Sequence, residues 1–308
     1  MALLDTNAQN LRITTYDTSA GAAAAAAKAI ADGNKLILGP LMSDDIPAVS
    51  AAARPARVPV ISYSNDEQRA ARDTLIMGSL PSQSVTRTVA YARAQGASLF
   101  AGLVPVGEYG QRSSAALIAA VREQGGTITA METYDRSVAA ISAAARRLHD
   151  RGGFDAVLIA DGGRMSVQAG PILKSGTGST TQLLGSELWS GESVVSASPA
   201  LAGAWYSAIS DARWRQFIDS YRNRFGTQPY RIATLGYDSV LLTLRVTRDW
   251  RPGTVFPTAR LFDRDGFLGL DGAFRFRSNG AIQRALEVRQ VRVGGVNVVS
   301  EAPGKFAD

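Results

Sequence analysis

Two short apolar runs that end in small polar residues constrain the fold more than any other feature: LILGPLMS at residues 36–43 and VPVISYSND at 58–66. An apolar run of this length between turn signals reads as a buried strand. A helical pattern over residues 44–53 separates the two, and strands joined through a helix by short connections imply parallel pairing with right-handed crossovers. In an open sheet of that kind, ligands bind beyond the carboxyl ends of the strands, where backbone N–H groups and helix starts meet anionic groups. The polar residues that close the two runs are therefore candidates for one wall of a ligand site.

The alternation continues along the chain. Strand patterns fall at 11–17, 35–39, 58–62, 98–104, 127–134, 154–161 and 182–185, with helical patterns over 19–31, 44–53, 82–95, 110–124, 137–150 and 165–173. Ser19 and Ser137 stand where helix caps are expected. Residues 1–10 read as the tail of a helix, so the pattern predicts a further strand ahead of Met1, and 175–180 read as a surface connection. Later, 212–225 and 232–246 read as helices, and GLDGAFRF and ALEVRQVRV as strands around a turn at Ser278-Asn279-Gly280. A chain of 308 residues exceeds the usual single core. The expected division is an N-terminal lobe of 1–81 with 208–272 and a C-terminal lobe of 82–207 with 273–308, joined by several crossovers that suit closure about a hinge.

Composition removes whole classes of function. The 33 basic and 27 acidic residues form no block of like charge and no basic-aromatic stripe, so nucleic-acid binding is not expected. The absence of cysteine excludes disulfides, thiolate metal sites and cysteine catalysis. The longest mostly apolar stretch, 21–30, is alanine-rich, carries Lys28 and is too short for a membrane span; no export signal is legible in these residues. The lone histidine, His149, sits near the end of an arginine-rich helix, where its charge suits the helix end. No G-x-S-x-G elbow occurs. Gly176-Thr177-Gly178 lacks the rest of a dinucleotide or phosphate loop. Asp263-Arg264-Asp265-Gly266 opens like a calcium loop, but Phe274 stands where the late carboxylate belongs. No catalytic residue, metal or cofactor is expected.

Three acidic places are left. Asp44-Asp45 fall in the first turn of a helix, where carboxylates suit the dipole. Asp66-Glu67 follow the second apolar run and read equally as cleft residues or as a helix start. Glu187, in LLGSELWSG, follows a buried strand and precedes Trp189, which reads equally as a surface-loop acid or as a carboxylate beside an aromatic at a cleft edge, a setting that fits an α-ammonium group.

Taken together, YDT at 16–18, KLILGPLMS at 35–43, VPVISYSND at 58–66, EYG at 108–110, LLGSE at 183–187 and the closing GLDGAFRFRSNG resemble the type I periplasmic binding proteins, most closely the branched-chain amino-acid (Leu/Ile/Val) receptors. Each motif is weak alone, and their order and spacing carry the resemblance. It implies an α/β chain with two doubly wound parallel-sheet lobes, a multi-strand hinge, and non-enzymatic closure around a small zwitterion delivered to an ABC transporter permease. Carried over by position, Ser43 takes the ligand carboxylate, Ser64 and Asp66 surround it, Tyr109 closes as a lid and Glu187 pairs with the ammonium.

The departures from the pattern are an Asp at 66 where the family tends to have Thr, Asp161-Gly162-Gly163-Arg164 where it often has an aromatic, and no counterpart of its first strand. GFLGLDGAFRFRSNG and LLGSELWSG followed by PALAGAWYSA also resemble the LpoA-like penicillin-binding-protein activators, envelope lipoproteins of the same fold. That resemblance implies a protein-interaction module acting on a penicillin-binding protein in peptidoglycan synthesis. Either resemblance implies a periplasmic or envelope-anchored protein of a Gram-negative-type bacterium whose export segment lies outside this sequence.

Overall fold

The computed structural model describes residues 1–6, 11–251, 253–304 and 306; part of the predicted helix tail, 7–10, lies outside them. Along the chain run α1 (Ala2–Thr6), α2 (Ala22–Ala31), β1 (Ile37–Leu38), α3 (Ile46–Ala53), β2 (Val60–Ser62), β3 (Thr74–Ile76), α4 (Pro81–Ala94), β4 (Leu99–Pro105), α5 (Glu108–Glu123), β5 (Thr127–Tyr134), α6 (Val138–Arg151), β6 (Ala156–Ile159), α7 (Gly163–Leu173), β7 (Gln182–Gly185), α8 (Ser193–Ala197), β8 (Trp205–Ala208), α9 (Ala212–Phe225), α10 (Ala233–Val246), β9 (Phe267–Gly269), β10 (Gly272–Phe276), β11 (Ile282–Arg284), β12 (Glu287–Arg292) and β13 (Gly295–Ser300). The chain forms two compact units, one of Met1–Leu80, Ser210–Ala285 and Gly304–Asp308, the other of Pro81–Ile209 and Leu286–Pro303.

In the first unit β1, β2 and β3 pair in parallel, with Ile37 opposite Val60 and Val60 opposite Thr74. Ile61, Leu75, Ile76 and Met77 are fully buried and pack with Leu242, Phe267 and Phe274. The late GLDG segment is a tight hairpin between β9 and β10, with Gly269 opposite Gly272. Its Leu270 and Asp271 N–H groups donate to the two oxygens of Asp238 on α10, at 2.6 and 3.2 Å. A side chain at Gly269 would fall on that carboxylate. Asp271 in turn accepts from Arg231 at 2.6 Å and Thr234 at 2.8 Å. Burial, reinforced by the Asp271 charge, pushes Asp238 up to about 6 against the pull of its N–H donors. The motif thus locks the hairpin to a helix of its own unit.

The second unit is built on a sheet of order β13-β12-β8-β7-β6-β4-β5 among the described residues, parallel from β4 to β8 and antiparallel where β12 joins β8 and β13. Side chains alternate between faces: Val157 and Ile159 enter a core with Leu148 of α6 and Leu173 of α7, and Leu158 enters one with Val89 of α4 and Leu117 of α5. A sheet covered on both faces needs continuous apolar strands, which is why β6 is so legible in the sequence. Ser137 caps α6, its hydroxyl accepting from the Ala140 N–H at 3.1 Å. Ser137→Ala is expected to lower stability by about 1 kcal/mol, read as a shifted denaturant midpoint at unchanged slope.

Several expectations need correction. Residues 11–17 form no strand: their apolar alternation finds no partner strand, and Tyr16 is held instead through its hydroxyl by Asp32 and Asn34. Ser19 does not cap α2, whose preceding residue is Gly21; its N–H and hydroxyl both bond Asp17. Residues 273–285 belong with the first unit and not the C-terminal lobe, because β10 pairs on both sides with β9 and β11. Residues 81, 208 and 209 cluster with the second unit. The 175–180 connection contains a 3-10 turn over Gly176–Thr180.

Candidate functional site

The polar carboxyl edge of the second unit's sheet is assembled from four neighbouring strands. After β4 the chain turns at Gly107, φ 104°, and α5 begins against the strand end so closely that a side chain at Gly110 would fall on the Pro105 carbonyl. This fixes Tyr109 in the first turn of α5. Its hydroxyl meets Ser186 Oγ at 2.9 Å and donates to Glu187 Oε1 at 3.1 Å, the two residues that follow β7. Burial, and then the Glu187 charge, push the Tyr109 phenol far up, so it is a proton donor at any ordinary pH.

Glu187 opens a 3-10 turn, Glu187–Trp189. Its Oε1 is taken by Tyr109, whereas Oε2 is shut off from solvent and has no hydrogen-bond partner among the described residues. Ser84, which also bears on this carboxyl, has its hydroxyl proton committed to the Ser207 carbonyl at 2.9 Å. Burial pushes the Glu187 carboxyl up to about 7, its own backbone N–H and the Tyr109 hydroxyl opposing more weakly. An acid in this setting either holds a proton or pairs with a cation.

Trp189 is not the edge aromatic that the sequence predicts. It is 1% exposed, and its ring fills the space a Gly185 side chain would need, while Nε1 donates to the Asp161 carbonyl and Ser166 Oγ, both at 3.0 Å. Tyr109 is the aromatic that adjoins Glu187.

The sequence reading passes over a second network on this edge. Tyr134, the last residue of β5, donates to Asp161 Oδ2 at 2.8 Å, and Gly162 N–H donates to Oδ1 at 2.8 Å. Arg136 Nε lies 3.4 Å from the same Oδ2. Burial and the Asp161 charge push the Tyr134 phenol far up, with Arg136 opposing and Tyr109 adding to the shift, which places Tyr109 and Arg136 within electrostatic reach of one group. The one legible signal was the absence of an aromatic at 161.

In the first unit Ser43 begins a 3-10 turn after β1 and is half-buried, flanked by the exposed Leu41 and Met42. Ser64 and Asp66 follow β2 and are buried. Ser62 Oγ donates to the Pro40 carbonyl at 2.8 Å and accepts from Ser64 N–H at 3.1 Å, and Ser64 Oγ accepts from Asp66 N–H at 3.1 Å. Asp66 caps the next turn by accepting from Gln68 N–H at 3.2 Å, with Arg69 3.4 Å away. The Ser64 and Asp66 backbone donors thus serve the loop itself, while the Ser64 hydroxyl proton has no acceptor named in this chain of bonds. Among the described residues no three His, Asp or Glu side chains converge as metal ligands, and no helix is long and apolar enough to cross a membrane.

Parallel sheets with polar residues gathered at their carboxyl edges define a two-unit α/β protein. A family model described as "Periplasmic binding protein" matches residues 9–295. The chain belongs to the periplasmic binding protein family, of type I fold. No curated protein matches it in sequence. Among solved structures it is similar to a putative branched-chain amino acid ABC transporter protein from Rhodospirillum rubrum, 20% identical over 90% of this chain and 84% of that one, TM-score 0.77. It is also similar to an ABC transporter substrate-binding protein from Desulfitobacterium hafniense in complex with Leu, 19% identical over 97% and 93%, TM-score 0.71. A third is a solute-binding protein of an ABC transporter from Rhodopseudomonas palustris in complex with 3,4-dihydroxybenzoic acid, 18% identical over 93% and 83%, TM-score 0.69. At these identities the likeness shows the fold, and the ligands belong to those proteins.

Proposed function

We propose that the chain is a non-enzymatic periplasmic receptor for a small amino-acid zwitterion, which it presents to an ABC transporter permease. The observation that carries this reading is Glu187, a carboxylate set by Tyr109 on one oxygen and unpartnered and buried on the other. A ligand ammonium supplies the missing donors and the countercharge. Tyr109 orients the acid. On the first unit, Ser43 and the Ser64 hydroxyl are the candidates for the carboxylate of the ligand, and Asp66 holds their loop. The resemblance and the leucine-bound Desulfitobacterium hafniense neighbour favour an amino acid, branched-chain in the first instance.

The test is thermal unfolding against a panel of free amino acids and peptidoglycan fragments. A ligand at about a hundred times its dissociation constant adds roughly 2.7 kcal/mol of stability and raises the melting temperature by several degrees. A shift confined to amino acids supports the receptor. No shift with any of them refutes it and returns the chain to the interaction-protein reading.

A further inference from the structure

Arg136 stands at the same strand edge as Tyr109 and Glu187 yet takes no part in holding them. β4 and β5 are neighbours, with Pro105 opposite Tyr134, and Val106 N–H donates to the Tyr134 carbonyl at 2.9 Å. The segment carrying Tyr109 and the segment carrying Arg136 therefore leave the sheet side by side, and Asp161 follows β6, which pairs with β4 on its other side.

Asp161 is 6% exposed, and both its oxygens are engaged: Oδ1 by Gly162 N–H, Oδ2 by the Tyr134 hydroxyl and by Arg136 Nε. Buried and already held by three groups, it is poorly placed to take a ligand cation. The guanidinium is the opposite case. The Arg136 side chain is 53% exposed, and its two Nη groups have no partner in any bond or ion pair of the described residues. An ordinary surface ion pair leaves both partners in water and holds neither; here the acid is buried and braced by two further donors, so the arginine has a fixed base. A guanidinium anchored through Nε and open at its Nη end presents parallel N–H donors, the geometry that takes a carboxylate in two bonds.

We propose that Arg136, positioned by Asp161 and Tyr134, is a specificity-determining residue that binds a second carboxylate on the ligand, so that the preferred solute is an acidic amino acid. This rests on the receptor reading and narrows its ligand away from the branched-chain class. Glu187 serves the ammonium common to all amino acids, and Arg136 serves the group that only some carry. Asp161 accepts two hydrogen bonds and pairs with Arg136 through Nε, which leaves the Arg136 Nη groups to the ligand.

Calorimetric titration of the full chain, and of Arg136→Gln and Asp161→Asn, with L-glutamate, L-aspartate and L-leucine tests this. The parent chain is expected to bind an acidic amino acid more tightly than leucine. Arg136→Gln should weaken the acidic ligand about tenfold to a hundredfold, the range for a charged hydrogen-bonded pair, and leave leucine within about threefold, since leucine offers no group to this side chain. Asp161→Asn should weaken the acidic ligand in the same direction by releasing the guanidinium. Unchanged melting of ligand-free Arg136→Gln separates selectivity from folding. A parent chain that binds leucine but neither acidic amino acid overturns this proposal alone, as does an Arg136→Gln variant that loses all ligands equally or none. A parent chain that binds none of the three also overturns this proposal, while the receptor reading is then decided separately by the amino-acid panel.

Discussion

Replacing Glu187 by glutamine is expected to abolish amino-acid binding and, at the same time, to stabilise the ligand-free chain above about pH 7. The two effects share one cause. The carboxyl is pushed up to about 7 by burial, so its charged form is disfavoured in the folded protein and costs nothing when unfolded. The stability associated with this raised acid is fully present below the ordinary glutamate range and is lost as pH rises through about 7. Glutamine removes that loss. Near pH 8 the ligand-free variant should exceed the parent by on the order of 2 kcal/mol, and near pH 4 the two should coincide; urea unfolding at both values checks this.

Binding runs the other way. The ligand ammonium pairs with the carboxylate, so apparent affinity in the parent should fall as pH drops below about 7, approaching tenfold per unit, and the variant should lose at least about a hundredfold at neutral pH. A variant that binds amino acids normally would mean that this acid is not used, and one that shows no gain in stability at high pH would mean that it is not strained.

Trp189→Ala is expected to be the most destabilising single change in the second unit. The indole is 1% exposed in a core with Tyr206, Leu173 and Val195, and it satisfies the Asp161 carbonyl and Ser166 hydroxyl. Truncating a buried aromatic costs about 3–5 kcal/mol. Trp189→Phe keeps most of the volume and loses the N–H, so it should cost about 1–3 kcal/mol. Denaturant midpoints at constant slope measure both. Because Trp189 closes the turn that Glu187 opens, ligand affinity should fall with Ala and largely survive with Phe. Equal, small losses for both variants would show that the turn does not depend on the ring.

The fold was legible wherever local signals agreed with long-range pairing. β5, β7 and α9 fall on the predicted residues, because an apolar pattern there runs between clear stops such as the Gly226 turn after α9, φ 71°. β6 is shorter than its apolar run because its neighbours pair only with Ala156–Ile159. β3 escaped notice, since TLI is too short to carry a period and is a strand only through its pairing with β2.

At the site, Tyr109 and Glu187, which the resemblance implies on opposite sides of a ligand as lid and acid, are in direct hydrogen-bond contact 78 positions apart in the chain. Which aromatic stands beside the acid was misjudged, because nothing in LLGSELW reveals that Gly185 leaves its space to the indole. Beyond the missing aromatic at 161, the Tyr134, Arg136 and Asp161 network could not be assembled for a related reason: Tyr134 and Asp161 are 27 positions apart and meet only because β5, β4 and β6 lie side by side.

A crystal structure of the chain with the amino acid that most raises its melting temperature tests the central claim most directly. The account predicts the ligand ammonium about 2.7–2.9 Å from a Glu187 carboxylate oxygen, with the Tyr109 hydroxyl still on the other. A ligand whose ammonium pairs elsewhere, leaving Glu187 Oε2 without a partner, would contradict it.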